Sequence, residues 1–127
     1  MFEKLELTRM AQSLAANAGA RLGVIARNVA NADTPGYKAR DLPDFAQTYA
    51  ANDGLAMRAT RARHLGAPDG ATPVEPIFSG GSAAPNGNTV SLELEMVKSV
   101  EARQSHEMAL AIYRATSDVI RASLGRK

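Results

Sequence analysis

The sequence predicts a mainly α-helical chain with a long helix at each end and an irregular segment between them. Apolar residues recur with helical spacing over residues 5–32 and again over 89–124. Between these two stretches, residues 67–88 contain four of the six prolines and four of the ten glycines. Neither a helix nor a central strand tolerates that composition.

These observations divide the chain into four segments. We expect an N-terminal helix and its closing turn, a short irregular or β-like segment, a flexible Pro- and Gly-rich linker, and a C-terminal helix. Their ranges are 1–36, 37–66, 67–88 and 89–127.

The first helix is predicted from one apolar stripe. At 100° per residue, its members fall within an arc of about 80°. They are Leu7, Ala11, Leu14, Ala18, Leu22, Ile25, Val29 and Ala32. Five of them are large, and we expect these to form the interface of the helix with its neighbours: Leu7, Leu14, Leu22, Ile25 and Val29.

A turn is predicted where this helix ends. Pro35 has no N–H to donate and disfavours a helical Thr34, so the helix should end near Ala32. Pro35 and Gly36 fit the central positions of a type II turn, in which glycine takes a positive φ. Asp33 and Thr34 can hydrogen-bond to nearby backbone in such a turn.

The second long helix carries two apolar stripes on nearly opposite sides, and its predicted N-cap is Asn88 or Thr89. Two apolar faces need two sets of neighbours, and this chain offers only one other long helix. The first stripe contains Val90, Leu94, Val97, Met108, Ile112, Ala115 and Val119. The second contains Leu92, Met96, His106, Leu110, Tyr113, Ile120 and Leu124.

The middle of the chain gives weaker signals. Asp41 fits the N-cap of a short helix with Pro43 in its first turn. Residues 55–60 fit a short strand, and we expect residues 67–86 to be mostly disordered in the free protein.

Composition excludes several function classes. The chain has no cysteine, so it has no disulfide, thiolate metal site or cysteine nucleophile. His64 and His106 lack a second histidine at metal-binding spacing, and no phosphate loop, dinucleotide motif or nucleophile elbow is present. No apolar run is long enough to span a membrane, and the acidic first residues do not resemble a signal peptide. We therefore expect neither an enzyme nor a cofactor.

Residues 28–38, Asn-Val-Ala-Asn-Ala-Asp-Thr-Pro-Gly-Tyr-Lys, resemble the signature near the N-terminus of bacterial flagellar rod, hook and hook-associated proteins. The runs Asn-Gly-Asn-Thr-Val at 86–90 and Leu-Glu-Met at 94–96 are similar to the short proximal rod members, as is the spacing of Thr60 and His64. Ser91 and Arg27 depart from that pattern, which more often has Asp and Asn there.

The resemblance implies a structural subunit of the flagellar basal-body rod, the axial shaft that links the membrane ring to the hook. It implies that the terminal helices pair as a coiled-coil-like hairpin within a tubular polymer. Implied partners are other rod subunits, membrane-ring and adaptor components, and the type III export apparatus, which needs no cleaved signal. The implied location is the rod crossing the periplasm, with no nucleic acid or small-molecule substrate.

The resemblance also marks the expected site residues. The turn motif comprises Asn28, Asn31, Asp33, Thr34, Pro35, Gly36 and Tyr37. On the second helix, the expected interface residues are Leu94, Val97, Met108, Ile112 and Val119.

Two other function classes stay open at this point. One is a small helical export chaperone or regulator that binds a partner helix in a groove. The other is a nucleic-acid binder that uses Arg58, Arg61 and Arg63, although that basic cluster lacks interleaved aromatic residues.

Overall fold

The computed structural model of this chain describes residues 2–52 and 74–125. Most of the described residues are helical, and the predicted mainly α fold with a long helix near each end is confirmed. In chain order the elements are α1 (Phe2–Ala30), β1 (Arg40–Asp41), α2 (Phe45–Asn52), β2 (Ile77–Phe78) and α3 (Leu92–Ser123).

Helices α1 and α3 pack against each other as an antiparallel hairpin. Asn28 near the end of α1 hydrogen-bonds Glu95 near the start of α3, at 3.0 Å. About two turns further back along α1, Arg21 lies 3.8 Å from Glu101. At 1.5 Å per residue the two helices are roughly 43 and 48 Å long. The predicted pairing of the terminal helices is therefore confirmed.

Four alanines are among the side chains buried on the two helices. Ala11 and Ala18 are buried on α1, and Ala102 and Ala109 are buried on α3. The members of each pair are seven residues apart, which is the heptad spacing of a coiled coil. Alanines allow close approach of the backbones but bury little apolar area. The largest fully buried side chains are polar, namely Glu95 and Asn28.

Helix α3 turns neither of its apolar stripes fully toward α1. Its buried residues are Glu95, Lys98, Ala102, Ala109 and Thr116, a line that runs between the two stripes. Met108 on the first stripe is 52% exposed and Met96 on the second is 67% exposed. Both sides of α3 therefore present large apolar side chains to solvent.

The central elements differ from the sequence prediction. Strands β1 and β2 pair antiparallel, with Asp41 opposite Ile77. Helix α2 begins at Phe45, and the Thr48 N–H donates to the Asp44 carbonyl at 3.1 Å. The prediction of Asp41 as the N-cap of this helix is wrong, because Asp41 lies in β1 and its carboxylate binds Arg21.

Part of the predicted linker follows a defined path. Residues 74–88 include β2 and a turn around residues 85–87. The Ser79 N–H donates to the Ala39 carbonyl at 2.9 Å, and Lys98 donates to the Ser79 hydroxyl at 3.2 Å. Strand β1 and helix α3 thus supply hydrogen-bond partners that composition does not reveal, whereas the expected disorder of residues 67–86 in the free protein stays a prediction.

Several expectations fall outside the described residues. They are the strand at 55–60, the Thr60 and His64 resemblance, the Arg58, Arg61 and Arg63 cluster, and residues 67–73 of the linker.

Candidate functional site

The predicted turn follows α1. The helix ends at Ala30, two residues before the expected position, and the Thr34 N–H donates to the Asn31 carbonyl at 3.0 Å. Gly36 has a φ of 73°, so the expected positive φ is confirmed. A residue with a Cβ is strained in this conformation, whereas glycine adopts it freely.

Asn88 caps the end of α1 from across the hairpin. Its buried side-chain amide lies 3.0, 2.7 and 2.9 Å from the carbonyl oxygens of Asn31, Ala32 and Thr34. Its Oδ1 accepts from the Val90 N–H at 2.8 Å. The last carbonyls of a helix have no intrahelical partner, so a buried donor here closes the helix end.

The predicted N-cap of α3 is therefore wrong. Ser91 is the N-cap, and its Oγ accepts from the Leu94 N–H at 3.4 Å. Asn88 is engaged with the end of α1. Thr89 is engaged as well, since its Oγ1 accepts from the Ala39 N–H at 2.9 Å.

The two turns lie against each other. The Gly36 N–H donates to the Asn86 carbonyl at 3.0 Å, and Lys38 donates to the Gly87 carbonyl at 3.1 Å. Gly87 also has a positive φ, of 79°, and a Cβ added there would lie 3.5 Å from the Gly36 Cα. The Thr-Pro-Gly-Tyr and Asn-Gly-Asn runs thus form a single interlocked unit.

Asn28 joins this unit to both helices. Its side chain is fully buried, and Nδ2 donates to the Arg40 carbonyl at 2.7 Å and to Glu95 Oε2 at 3.0 Å. Its Oδ1 accepts from the Arg40 N–H at 3.1 Å and from the Tyr37 hydroxyl at 3.4 Å. An asparagine amide has two donor hydrogens and two acceptor sites, and all are used here.

A cluster of five charged side chains adjoins Asn28. Arg21 binds Asp41 through two hydrogen bonds, at 3.0 and 3.2 Å. Lys98 lies 3.4 Å from Asp41 and 3.1 Å from Glu95. Arg21 also lies 3.8 Å from Glu101. The cluster connects α1, β1 and α3, so it fixes the register of the hairpin relative to the central segment.

Its charges shift the pKa of two members. Partial burial alone would raise the pKa of Asp41, but hydrogen bonds from Arg21 and the Leu42 N–H, with the charges of Arg21 and Lys98, outweigh it. The pKa of Asp41 therefore lies below its ordinary value. The hydrogen bond to Asp41 raises the pKa of Arg21. Both groups are charged at neutral pH.

The predicted turn residues occupy three environments. Asn28 is buried, and Asn31 and Tyr37 are half-buried. The exposed members are Asp33, Thr34, Pro35 and Gly36. The Thr34 hydroxyl donates to the Asn31 side chain at 3.2 Å rather than to backbone.

The predicted interface residues divide by exposure. Ile25 is buried, and Leu14, Leu22 and Ile112 are half-buried. The remaining six have exposures of 40 to 55%: Leu7, Val29, Leu94, Val97, Met108 and Val119. Within this chain the hairpin covers the first group, so the exposed six are free to contact other chains.

Sequence reasoning did not identify the buried charges. Glu95 and Lys98 belong to neither predicted apolar stripe, yet both are buried. One available signal was the heptad line of Glu95, Ala102, Ala109 and Thr116, which runs between two apolar stripes.

The buried polar groups of this arrangement are satisfied by partners within the chain. Throughout the described ranges, each buried side-chain nitrogen or oxygen has a hydrogen-bond partner. Over those same ranges, no group of three or more histidines and acids is placed to hold a metal ion. Neither does any helix there have the length and apolar content to cross a bilayer.

Comparison with known proteins identifies relatives over most of the chain. A family described as flagella basal body rod protein matches residues 9–38, which cover most of α1 and its turn. The chain is 30% identical over 123 residues to flagellar basal body rod protein FlgB of Salmonella typhimurium, covering 88% of each chain. It is 32% identical over 122 residues to the FlgB of Escherichia coli, covering 87% of this chain and 88% of the relative. It is 33% identical over 93 residues to the FlgB of Cereibacter sphaeroides, covering 72% of this chain and 73% of the relative.

Proposed function

Because this chain belongs to the FlgB family of flagellar basal body rod proteins, we propose that it builds the proximal part of the rod, the shaft that links the membrane ring to the hook. The chain is a structural subunit of the flagellar basal body and assembles with other basal-body components.

The observation that carries this function is the double apolar exposure of α3. Leu94 and Met108 on one side are 49% and 52% exposed, and Met96 and Leu110 on the other are 67% and 36% exposed. A single pair of helices needs only one apolar face. Exposed apolar patches of this kind mark surfaces that contact other proteins.

In the proposed polymer, neighbouring rod subunits cover both faces of α3. Repetition along a tube requires heterologous contacts, in which two different surfaces of the subunit meet. Segments 1–36 and 89–127 supply the packed helices, and segments 37–66 and 67–88 contact neighbours outside this helical layer. Val29 and Leu7 extend the apolar surface onto α1.

The proposed function also includes where the subunit is located and how it is exported. We place the rod across the periplasm, with this subunit next to ring and adaptor components. The subunit passes through the type III export apparatus without a cleaved signal and folds at the growing rod. The small, alanine-rich hairpin interface supports this order of events, since a hairpin that buries little apolar area is easily unfolded.

The family is structural rather than enzymatic, and we propose that the chain acts through packing alone, without a cofactor. The alternative of an export chaperone or regulator is not supported, because the relatives are named as rod proteins.

A charge on one exposed face of α3 tests this function. In a strain that lacks the chromosomal copy, Met108→Asp should leave the helicity of the purified chain unchanged, because Met108 is 52% exposed in the hairpin. The same change should block recovery of the chain in purified basal bodies and abolish swimming.

The matched control is Ala111→Asp, which also adds one negative charge at an exposed position of α3 but on the side that carries Glu107 and Asp118. This variant should assemble and swim. If Met108→Asp assembles as well as Ala111→Asp, the apolar faces are not subunit contacts and the proposed packing is wrong.

A further inference from the structure

An open groove lies beside the closing turn, and it is basic. Three cationic side chains line it, Arg27, Lys38 and Arg40, together with the rings of Tyr37 and Phe78. We name these five residues the basic groove. Its remaining lining residues are Val24, Gly36 and Pro76.

The cations of the basic groove are not neutralised within the hairpin. Among the described residues, neither Arg27 nor Arg40 forms an ion pair, and no carboxylate lines the groove. Lys38 donates to the Gly87 carbonyl, which leaves its charge uncompensated. Three such charges in one concave surface attract an anionic group, and the attraction weakens with added salt.

The basic groove also offers an apolar surface. Phe78 is 69% exposed, and the Arg40 guanidinium lies 5.2 Å from the centre of its ring. A partner that combines carboxylates with large apolar side chains would therefore contact both parts of this surface, which simple anions would not.

The start of the first helix of this chain has this chemistry. In this chain, residues 2–7 read Phe-Glu-Lys-Leu-Glu-Leu, with two carboxylates among three large apolar residues. Leu7 is 40% exposed, so the hairpin leaves this end of α1 partly uncovered. The basic groove lies at the other end of α1, roughly 40 Å away. Subunits repeated along an axis bring opposite ends together.

We propose that the basic groove binds the acidic, apolar start of the first helix of a neighbouring rod subunit. This inference rests on the proposed function and adds the two surfaces that meet. The helix supplies carboxylates to Arg27, Lys38 and Arg40, and its apolar side chains pack on Phe78.

Fluorescence anisotropy of a labelled peptide with the sequence of residues 1–10 tests the contact on the purified full chain. We expect saturable binding that weakens with salt. Lys38→Gln combined with Arg40→Gln should weaken it at least tenfold, and so should neutralising Glu3 and Glu6 of the peptide to glutamine. The control variant is Arg103→Gln, an exposed arginine on α3, which should bind as the unaltered chain does.

A charge swap separates a direct contact from a folding defect. Arg40→Glu should lose the peptide and regain binding when the peptide carries Glu6→Lys. Failure of the swap, with circular dichroism showing a folded variant, would overturn the proposal. So would preferential binding of a ten-residue oligothymidylate over the peptide, which would assign the groove to nucleic acid.

The contact is then tested in the assembly. Because the chain has no cysteine, Lys38→Cys gives it a single attachment point for a benzophenone maleimide, and labelled basal bodies with the unaltered chain control for cysteines of other components. Photolysis should join it to a peptide from the start of a first helix that contains at least two carboxylates. Attachment elsewhere, or none, overturns the groove assignment. Absence of the unaltered chain from basal bodies would instead overturn the proposed function.

Discussion

Replacing Glu95 by glutamine should destabilise the hairpin by about 3 kcal/mol, because it breaks a buried ion pair and leaves hydrogen-bond donors facing each other. The carboxylate is 1% exposed and accepts from Lys98 at 3.1 Å and from Asn28 at 3.0 Å. A glutamine retains only one acceptor oxygen, so its amide N–H groups oppose one of these two donors. Lys98 keeps Asp41 at 3.4 Å, which limits the loss.

Urea unfolding followed by circular dichroism measures this effect. With a slope of about 1.5 kcal/mol per molar urea, a loss of about 3 kcal/mol lowers the midpoint by roughly 2 M. If the variant is already unfolded without urea, the titrations of the variant and the unaltered chain are both run in sucrose, which stabilises the folded state.

The control for Glu95 is the same substitution two residues earlier. Glu93 is exposed in the first turn of α3, so Glu93→Gln should cost no more than about 0.5 kcal/mol, from the lost interaction with the helix dipole. Equal midpoints for Glu95→Gln and Glu93→Gln would refute the assignment of Glu95 as the polar centre of the hairpin.

Three further changes test the closing turn and the charged cluster. Gly36→Val should destabilise the folded chain by about 1–3 kcal/mol, because φ is 73° at this position and valine resists that conformation. Gly36→Asn should destabilise it less, so the urea midpoint of the valine variant should be the lower of the two. Asn88→Ala should lower the free energy of unfolding by about 2–3 kcal/mol, because it leaves carbonyls at the end of α1 and the Val90 N–H without their partner. Amide hydrogen exchange should then quicken around residues 31–34, and unchanged exchange would contradict the role of Asn88 as the cap of α1. Asp41 has a folded-state pKa below its unfolded value of about 3.9, so its stabilising contribution is present above pH 4 and is lost as the pH falls through the folded-state pKa. The Asp41→Asn variant should therefore be less stable than the unaltered protein at pH 7, and its stability should fall less steeply in acid.

The sequence predicted the features that local chemistry determines. Apolar spacing located both long helices, and Pro35 with Gly36 located the turn and its positive φ. The position of the chain in its family could be inferred from the same run of residues. Each of these follows from side chains close together in the sequence, for which helical geometry and proline stereochemistry leave few alternatives.

The long-range polar contacts could not be predicted in this way. The sequence predicts Asn88 or Thr89 as the N-cap of α3, but Asn88 caps α1, from 54 to 57 positions away. Nothing local distinguishes these two roles, because asparagine suits both. Glu95 and Lys98 resemble an ordinary exposed pair on a helix, and their burial depends on where β1 and α1 lie.

The orientation of α3 against α1 could not be predicted from periodicity either. Periodicity found its two apolar stripes, but it did not show that the helix would turn the line between them toward α1. That line carries alanines and polar residues, which contribute little to an apolar pattern. The close approach of two alanine-lined helices decides the orientation, and it leaves the larger side chains for other subunits.

Thiol labelling of the two faces of α3 tests most directly whether other subunits complete this hairpin. Single variants Met96→Cys and Met108→Cys place one cysteine on each face of a chain that otherwise has none. In the purified chain both thiols should react rapidly with a maleimide, because the two methionines are 67% and 52% exposed. In purified basal bodies both rates should fall at least tenfold; rates equal to those of the free chain would contradict the packing of α3 between neighbouring subunits.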